Sequence, residues 1–309
     1  MNSSKDAMAN EDARRKALAQ LIAPDEFEPL SATVKVEFGA RSDRGRVRPQ
    51  NDDHYLVIRL SRTLDTILTS LPDADLPPRF EEFGYGMAVA DGLGTGGAGS
   101  VAGRLALSTI AHLMVQYGKW NLRVDPKNAP EILARAQWIY DRIDQAIVGR
   151  GYDVPQLFDM AAALTGAISA GDHLFIGHVG HSRAYLFRDG TLTLLTRDHT
   201  TEQHLAETGK PIAMERRGKD RSHILTDAIG ARGDRPATEV EHYRLINGDC
   251  LLLCTNGLTD MVEEDQIADV LALRRHPQEQ CQILVDLANQ RGGEDNVTVI
   301  LAEYDIPKT

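Results

Sequence analysis

The chain has 309 residues, 42% of them apolar, which suits one large domain or two small ones with a sizeable core. Acidic residues outnumber basic ones by 45 to 34, and the resulting net charge of −11 argues against a nucleic-acid backbone as the main partner. The three cysteines, Cys250, Cys254 and Cys281, lack zinc-ligand spacing; no apolar run approaches the roughly 18 residues of a membrane helix; and the N-terminus has no signal-peptide core. The expectation is a soluble, cytoplasmic, reducing setting without a membrane.

In chain order, residues 1–30 are charged and alanine-rich and read as a tail, with a single domain over 31–305. "ATVKVEF" puts Val34, Val36 and Phe38 on one strand face and Lys35 and Glu37 on the other. "HYLVIRL" (54–60) is a second strand, "LPDADLPPRFEE" a proline-rich loop, and "YGMAVAD" (85–91) a third strand. Residues 99–117 read as a helix with Ile110, Leu113, Met114 and Tyr117 on its apolar stripe. A second helix spans about 129–148, with Pro130 in its first turn, Ile132, Ala136, Ile139, Ile143 and Ile147 along one face, and Gly149 and Gly151 ending it.

From residue 164, apolar alternation broken by the turn pairs Gly171-Asp172 and Asp189-Gly190 predicts a meander. Residues 201–235 are irregular apart from a short helix around "TTEQHLAET". "DCLLLCTNG" is a buried strand with Cys250 and Cys254 on one face, "EDQIADVLAL" and "PQEQCQILVDLANQR" are helices, and "NVTVILAEY" is the last strand. Strands and helices come in blocks, without strict βα alternation, so the class is α+β with sheets covered by helices.

Two motifs invite misreading. Gly180-His181-Ser182-Arg183-Ala184 nearly fits the Gly-x-Ser-x-Gly elbow of serine hydrolases, but "RAYLFRDG" after it is a strand running into a hairpin, where the elbow needs a helix. Ser182 is therefore no nucleophile. Gly92, Gly94 and Gly97 satisfy G-x-G-x-x-G, yet Asp91 directly before them would repel a pyrophosphate, and no acidic strand end follows about twenty residues on. An aspartate at a strand end followed by glycine suits a hard cation instead, offering a carboxylate and an unobstructed carbonyl. Asp52-Asp53 and Asp295 stand at similar places, although each alone reads first as a turn aspartate.

The blocks "RPQNDDHYLV", "MAVADGLGTGGAG", "GDHLFIGHVGHSRAYLFRDGTLTLLTRDHT", "ILTDAIG", "GDCLLLCTNGLTDMV" and "GGEDNVTVIL" occur in an order and spacing that resembles the type 2C class of metal-dependent protein phosphatases, from near Arg41 to about Leu301. The resemblance implies a four-layer α-β-β-α sandwich, two stacked and mainly antiparallel β-sheets flanked by helices, with a flap-like segment at about 201–235. It implies hydrolysis of phosphoserine and phosphothreonine in proteins with two Mn²⁺ or Mg²⁺ ions, and a third less firmly placed. By position, Asp53 with Asp52 beside it, Asp91, the carbonyl of Gly92, and Asp295 would hold the metals. Arg48 would grip the phosphate. The implied partner is a phosphoprotein, with a protein kinase or its target as counterpart.

Three positions depart from the family pattern. His181 replaces an aspartate that helps hold an additional metal, Asn256 replaces a core metal aspartate, and Met160-Ala161-Ala162-Ala163 lacks the hydroxyls of Met-Gly-Thr-Thr. An amide oxygen still ligates a hard cation but removes a charge, and imidazole suits Mn²⁺ better than Mg²⁺. Two readings stay open, an active phosphatase and a non-catalytic module that binds a phosphoprotein or regulator. "RRGKDR" (216–221) reads as a solvated charge run that could steer acidic substrates.

Overall fold

The computed structural model describes residues 30–72, 75–76, 80–118, 124, 129–209, 224–231 and 235–307. The tail read over 1–30, apart from Leu30, and the "RRGKDR" run lie outside the described residues, as does part of the loop before the third strand.

Ten strands form two five-stranded antiparallel sheets. The first orders β1 (Lys35–Asp43), β10 (Val297–Asp305), β9 (Cys250–Cys254), β6 (Arg183–Arg188) and β7 (Thr191–Leu194). The second orders β2 (Asp53–Leu64), β3 (Phe80–Leu93), β4 (Ala161–Ala170), β5 (His173–Val179) and β8 (Glu239–Arg244). Central strands are apolar on both faces because both are covered. In β9, Leu251 and Leu253 face the space between the sheets with Val89, Ile176, Ile300 and Tyr304. Cys250, Leu252 and Cys254 face the helices α5 (Glu264–Ala272) and α6 (Pro277–Gln290), so both thiols share one face as the alternation predicts. The outer face of the second sheet is covered by α1 (Ala98–Tyr117) and α2 (Ala129–Asp153). The result is the expected α-β-β-α sandwich.

Three expectations change. The strands from residue 161 onward are not one meander. β4 and β5 stay in the second sheet, while β6 and β7 belong to the first, so the chain changes sheets through Gly180-His181-Ser182. Ser182 is fully buried in that crossover and β6 begins directly after it, which removes it as a nucleophile.

Gly149 and Gly151 do not end α2, which continues to Asp153 with Val154 N–H bonded to Arg150 O at 3.0 Å. The stop comes from Pro155, which disfavours helical backbone at the residue before it. The buried face of α1 is formed by Ala98, Gly99, Ala102, Gly103, Ala106 and Leu107, and Ile110, Leu113 and Met114 of the expected stripe continue it, half-buried against the core; Tyr117 is exposed. α1 is also long and apolar enough to cross a membrane, contrary to the reading of apolar runs, and here its N-terminal half is buried against β3 and β4.

The crossover sets the first test. Gly180 has φ +110°, and a Cβ there would lie 2.4 Å from Ala163 Cβ, opposite Asp91 on β4. Gly180→Ala is expected to cost about 2 kcal/mol or more through left-handed strain and overpacking. A urea midpoint equal to wild type would contradict this account of the crossover.

Candidate active site

Six segments meet at one end of the two sheets. Asp53 opens β2 and pairs in register with Asp91 near the end of β3, so two carboxylates stand on neighbouring strands. Asn256 opens the short helix α4 (Asn256–Thr259) just after β9. Asp295 precedes β10, Arg48 lies in the β1–β2 loop, and His181 in the sheet crossover.

Asp53 is 3% exposed; its Oδ2 accepts a hydrogen bond from Thr255 Oγ1 at 2.7 Å, while its Oδ1 is buried with no hydrogen-bond partner within 3.5 Å among the described residues. Burial, followed by the charge of Asp91, pushes its carboxyl well above the usual range. Asp91 is pushed up to about 7, first by burial and then by Asp295, with Arg48 pulling the other way and Asp52 and Asp260 adding to the rise. His181 Nε2 lies 3.6 Å from Asp91 Oδ2. Asp295 accepts from Arg48 at 2.6 Å through Oδ2 and from the N–H of Asn296 at 2.8 Å through Oδ1. Asp52 takes two contacts from Gln50 Nε2, at 2.9 and 3.2 Å. Asn256 donates to Asp260 Oδ2 at 2.9 Å, and its amide oxygen is buried without a partner.

Gly92 is held so closely that no side chain fits. A Cβ would fall 2.0 Å from Gly99 O and 2.8 Å from Asp52 O. Its carbonyl lies against Gly99 in the first turn of α1, where a Cβ on Gly99 would come within 2.5 Å. Gly94, Gly96 and Gly97 all have positive φ and turn the chain from β3 into α1, between antiparallel neighbours and with no parallel βαβ unit. That is the physical reason the glycine pattern here is no dinucleotide site.

All eight residues singled out from the sequence (Arg48, Asp52, Asp53, Asp91, Gly92, His181, Asn256 and Asp295) therefore lie at this end. Three others matter and were missed. Asn296 is 5% exposed; its Oδ1 accepts from Asp52 N–H at 2.8 Å, and its Nδ2 donates to Arg44 O at 2.8 Å and Gln50 O at 2.9 Å. One amide thus ties the β1–β2 loop to the loop before β10. Thr255 both donates to Asp53 and accepts from Thr298 N–H at 3.0 Å. Asp260 holds Asn256. The only sequence signal for them is adjacency to Asp295 and Asn256.

The donor set fits hard divalent cations. It is all oxygen apart from the His181 imidazole, it includes the two unpartnered buried oxygens Asp53 Oδ1 and Asn256 Oδ1, and it crowds like charges that a cation would relieve. Among the described residues no three Asp, Glu, His or Cys side chains converge as they stand into a metal-binding group. Asp295 is turned to Arg48, Asp52 to Gln50 and Asp53 to Thr255.

Residues 80–290 match the family model described as protein phosphatase 2C. The chain is 31% identical over 281 residues to the serine/threonine protein phosphatase PstP of Mycobacterium tuberculosis, covering 90% of this chain and 47% of PstP. The chain thus spans about half the length of that relative. It is 30% identical to the serine/threonine phosphatase stp of Listeria monocytogenes over 86% of this chain and 95% of that protein. Among solved structures, the catalytic domain of PstP in complex with two manganese ions superposes with a TM-score of 0.66 at 29% identity, covering 88% of this chain and 99% of that one. The Streptococcus agalactiae serine/threonine phosphatase gives a TM-score of 0.67 at 25% identity, covering 87% and 99%.

The crowded carboxylates make metal-free stability depend on pH. A carboxyl whose folded pKa is raised contributes stability that is fully present below its unfolded pKa and is lost as pH rises through the folded value. For Asp91 that window runs from 3.8 to about 7. In the presence of chelator the urea midpoint should therefore fall between about pH 4 and about pH 7, and added Mn²⁺ should restore it at the upper end. A midpoint that rises across that window would show that these groups are not held above their ordinary values.

Proposed function

Because the chain belongs to the protein phosphatase 2C family, we propose that it hydrolyses phosphoserine and phosphothreonine in proteins, with Mn²⁺ or Mg²⁺ bound among Asp53, Asp91, Asn256 and Asp295. The observation that carries this is the pairing of two buried carboxylates across β2 and β3, with two unpartnered oxygens beside them and a guanidinium at the rim. When bound, such ions supply Lewis-acid stabilisation and lower the pKa of water for attack at phosphorus. PstP, bound to two manganese ions, supports that choice of cofactor.

The chain's own residues supply position and charge. Asp91 is the carboxylate placed centrally, within the field of Asp295, Asp52 and Asp260 together. Asn296 fixes the backbone of Asp52 and the ends of the Arg48 loop, so the donors come to the site already positioned. Arg48 is 54% exposed at its side chain and held by Asp295; a phosphate dianion competes for the same guanidinium fork, which then neutralises charge building on the phosphoryl oxygens. Attack falls to water, since Ser182 is sealed in the crossover. The substrate is a phosphoprotein whose counterpart is a protein kinase or that kinase's target. We place the reaction in the cytoplasm, a reading supported by three buried free thiols.

Asp91→Asn is expected to abolish Mn²⁺-dependent hydrolysis of a phosphothreonine peptide, a loss of at least 10²-fold, with the fold retained. Wild-type turnover in that variant would sink the metal assignment. Asn256→Asp tests the departure from the family. It removes the amide bond to Asp260 and adds a charge beside Asp91, so thermal stability in chelator should drop while half-maximal activity is reached at lower Mn²⁺. If wild type is inactive at every metal concentration and Asn256→Asp alone turns over, the chain is a phosphoprotein-binding module.

A further inference from the structure

The loop joining β1 to β2 is basic on a chain of net charge −11. Arg41, Arg44, Arg46 and Arg48 fall in or beside it. Arg48 is engaged by Asp295 at 2.6 Å, and Arg41 lies 4.0 Å from Asp43. Arg44 and Arg46 are both exposed, and neither has a carboxylate at ion-pair distance among the described residues.

Their backbone, by contrast, is fixed. Gly45 has φ +79°, and a Cβ there would lie 2.2 Å from Asp295 O, so the loop packs directly on the backbone of that aspartate. Arg44 O accepts from Asn296 Nδ2 at 2.8 Å, and Arg46 N–H donates to Gly293 O at 2.7 Å. The stem of Arg46 lies over Gly293, where a Cβ would come within 3.0 Å of Arg46 Cγ. Arg44 Nη1 reaches back to Pro49 O at 3.3 Å, which brings its guanidinium alongside the residue after Arg48. Two cationic side chains are thus mounted on a rigid loop, next to the arginine assigned to the phosphate, with their charges uncommitted.

We propose that Arg44 and Arg46 form a subsite for an anionic side chain of the substrate, carried close to the phosphorylated residue. This rests on the phosphatase reading and extends it to substrate choice. The physical argument is one of sign. A protein of this net charge repels an acidic phosphopeptide at long range, so discrimination in its favour has to come from a local positive rim. Guanidinium groups suit the task because their fork matches carboxylate and phosphate oxygens alike. Specificity is a difference between affinities, and the same rim disfavours a substrate with lysine at that place.

The test measures kcat/KM in Mn²⁺ for para-nitrophenyl phosphate and for three phosphothreonine peptides of equal length, flanked by glutamate, by a second phosphothreonine, or by lysine. Wild type should prefer the glutamate or the doubly phosphorylated peptide over the lysine peptide by about tenfold or more, with the preference shrinking as salt is added. Which of the two is preferred identifies the anion as carboxylate or phosphate. Arg46→Glu and the double variant Arg44→Ser, Arg46→Ser should remove the preference through KM and leave turnover of para-nitrophenyl phosphate unchanged. A wild type without preference, or variants that keep it, would overturn the subsite. If wild type turns over none of the four, the phosphatase reading fails, and peptide binding by fluorescence anisotropy decides the subsite on its own. Arg46→Glu must then weaken the anionic peptides and not the lysine peptide; equal weakening refutes it.

Discussion

Everything at this end of the molecule answers to the repulsion between carboxylates brought together out of water. Asp53 and Asp91 are opposite one another across β2 and β3, and the antiparallel register leaves no room to separate them. An isolated buried carboxylate is costly, and two neighbours raise each other's cost. The surrounding contacts read as responses to that constraint: Thr255 donates to Asp53, Arg48 closes on Asp295, and Gln50 closes on Asp52. None of these partners is a second charge buried as deeply as the first. The compensation is therefore partial, and Asp91 still sits at about 7.

The same crowding explains the small-residue face of α1. For the start of that helix to cover the carboxylates, its backbone must approach β3 closely, and it does so where Gly99 meets Gly92 and where Gly103 lies under Asp52 and His54. Ala102 and Ala106 continue the contact and are fully buried, whereas the larger Ile110, Leu113 and Met114 pack only partly against the core further along. One helix thus makes a tight contact near the carboxylates and a looser one away from them.

That division also marks what the sequence could reveal. Period-two alternation and turn pairs locate most strands, because each strand's apolar faces are fixed by the layers around it. Periodicity does not say which sheet a strand joins, and so β6 and β7 pass for a continuation of the β4–β5 hairpin. For α1, hydropathy points to the right face but not to its tightest part: the alanines and glycines of the N-terminal half bury more completely than Ile110, Leu113 and Met114, which continue the same face. At the site, the charged residues stand out through the ordered blocks that resemble the type 2C phosphatases, since an aspartate at a strand end reads by itself as a turn residue. Asn296, whose amide binds three backbone groups of the β1–β2 loop, carries no charge and no periodic signature. Its role is visible only once the loops are side by side.

Two of the three departures from the family pattern can be understood through the same repulsion. The resemblance leads one to expect a carboxylate at positions 256 and 181, where this chain has an amide and an imidazole. Asp91 already feels Asp295, Asp52 and Asp260, so a carboxylate at position 256 would raise the self-repulsion of the metal-free fold further. Asn256 instead donates to Asp260, turning what would be a repulsive contact into a hydrogen bond, while its own oxygen stays unpartnered among the donors. His181 Nε2 stands 3.6 Å from Asp91 Oδ2, where a second carboxylate would add to the same repulsion. An amide in place of a carboxylate would lower repulsion among these groups and attraction for a cation together, because the charge that repels its neighbours is also the charge that would attract the ion. At a position facing carboxylates, stability without metal and affinity for metal are opposed by Coulomb's law, and an amide at 256 favours the former.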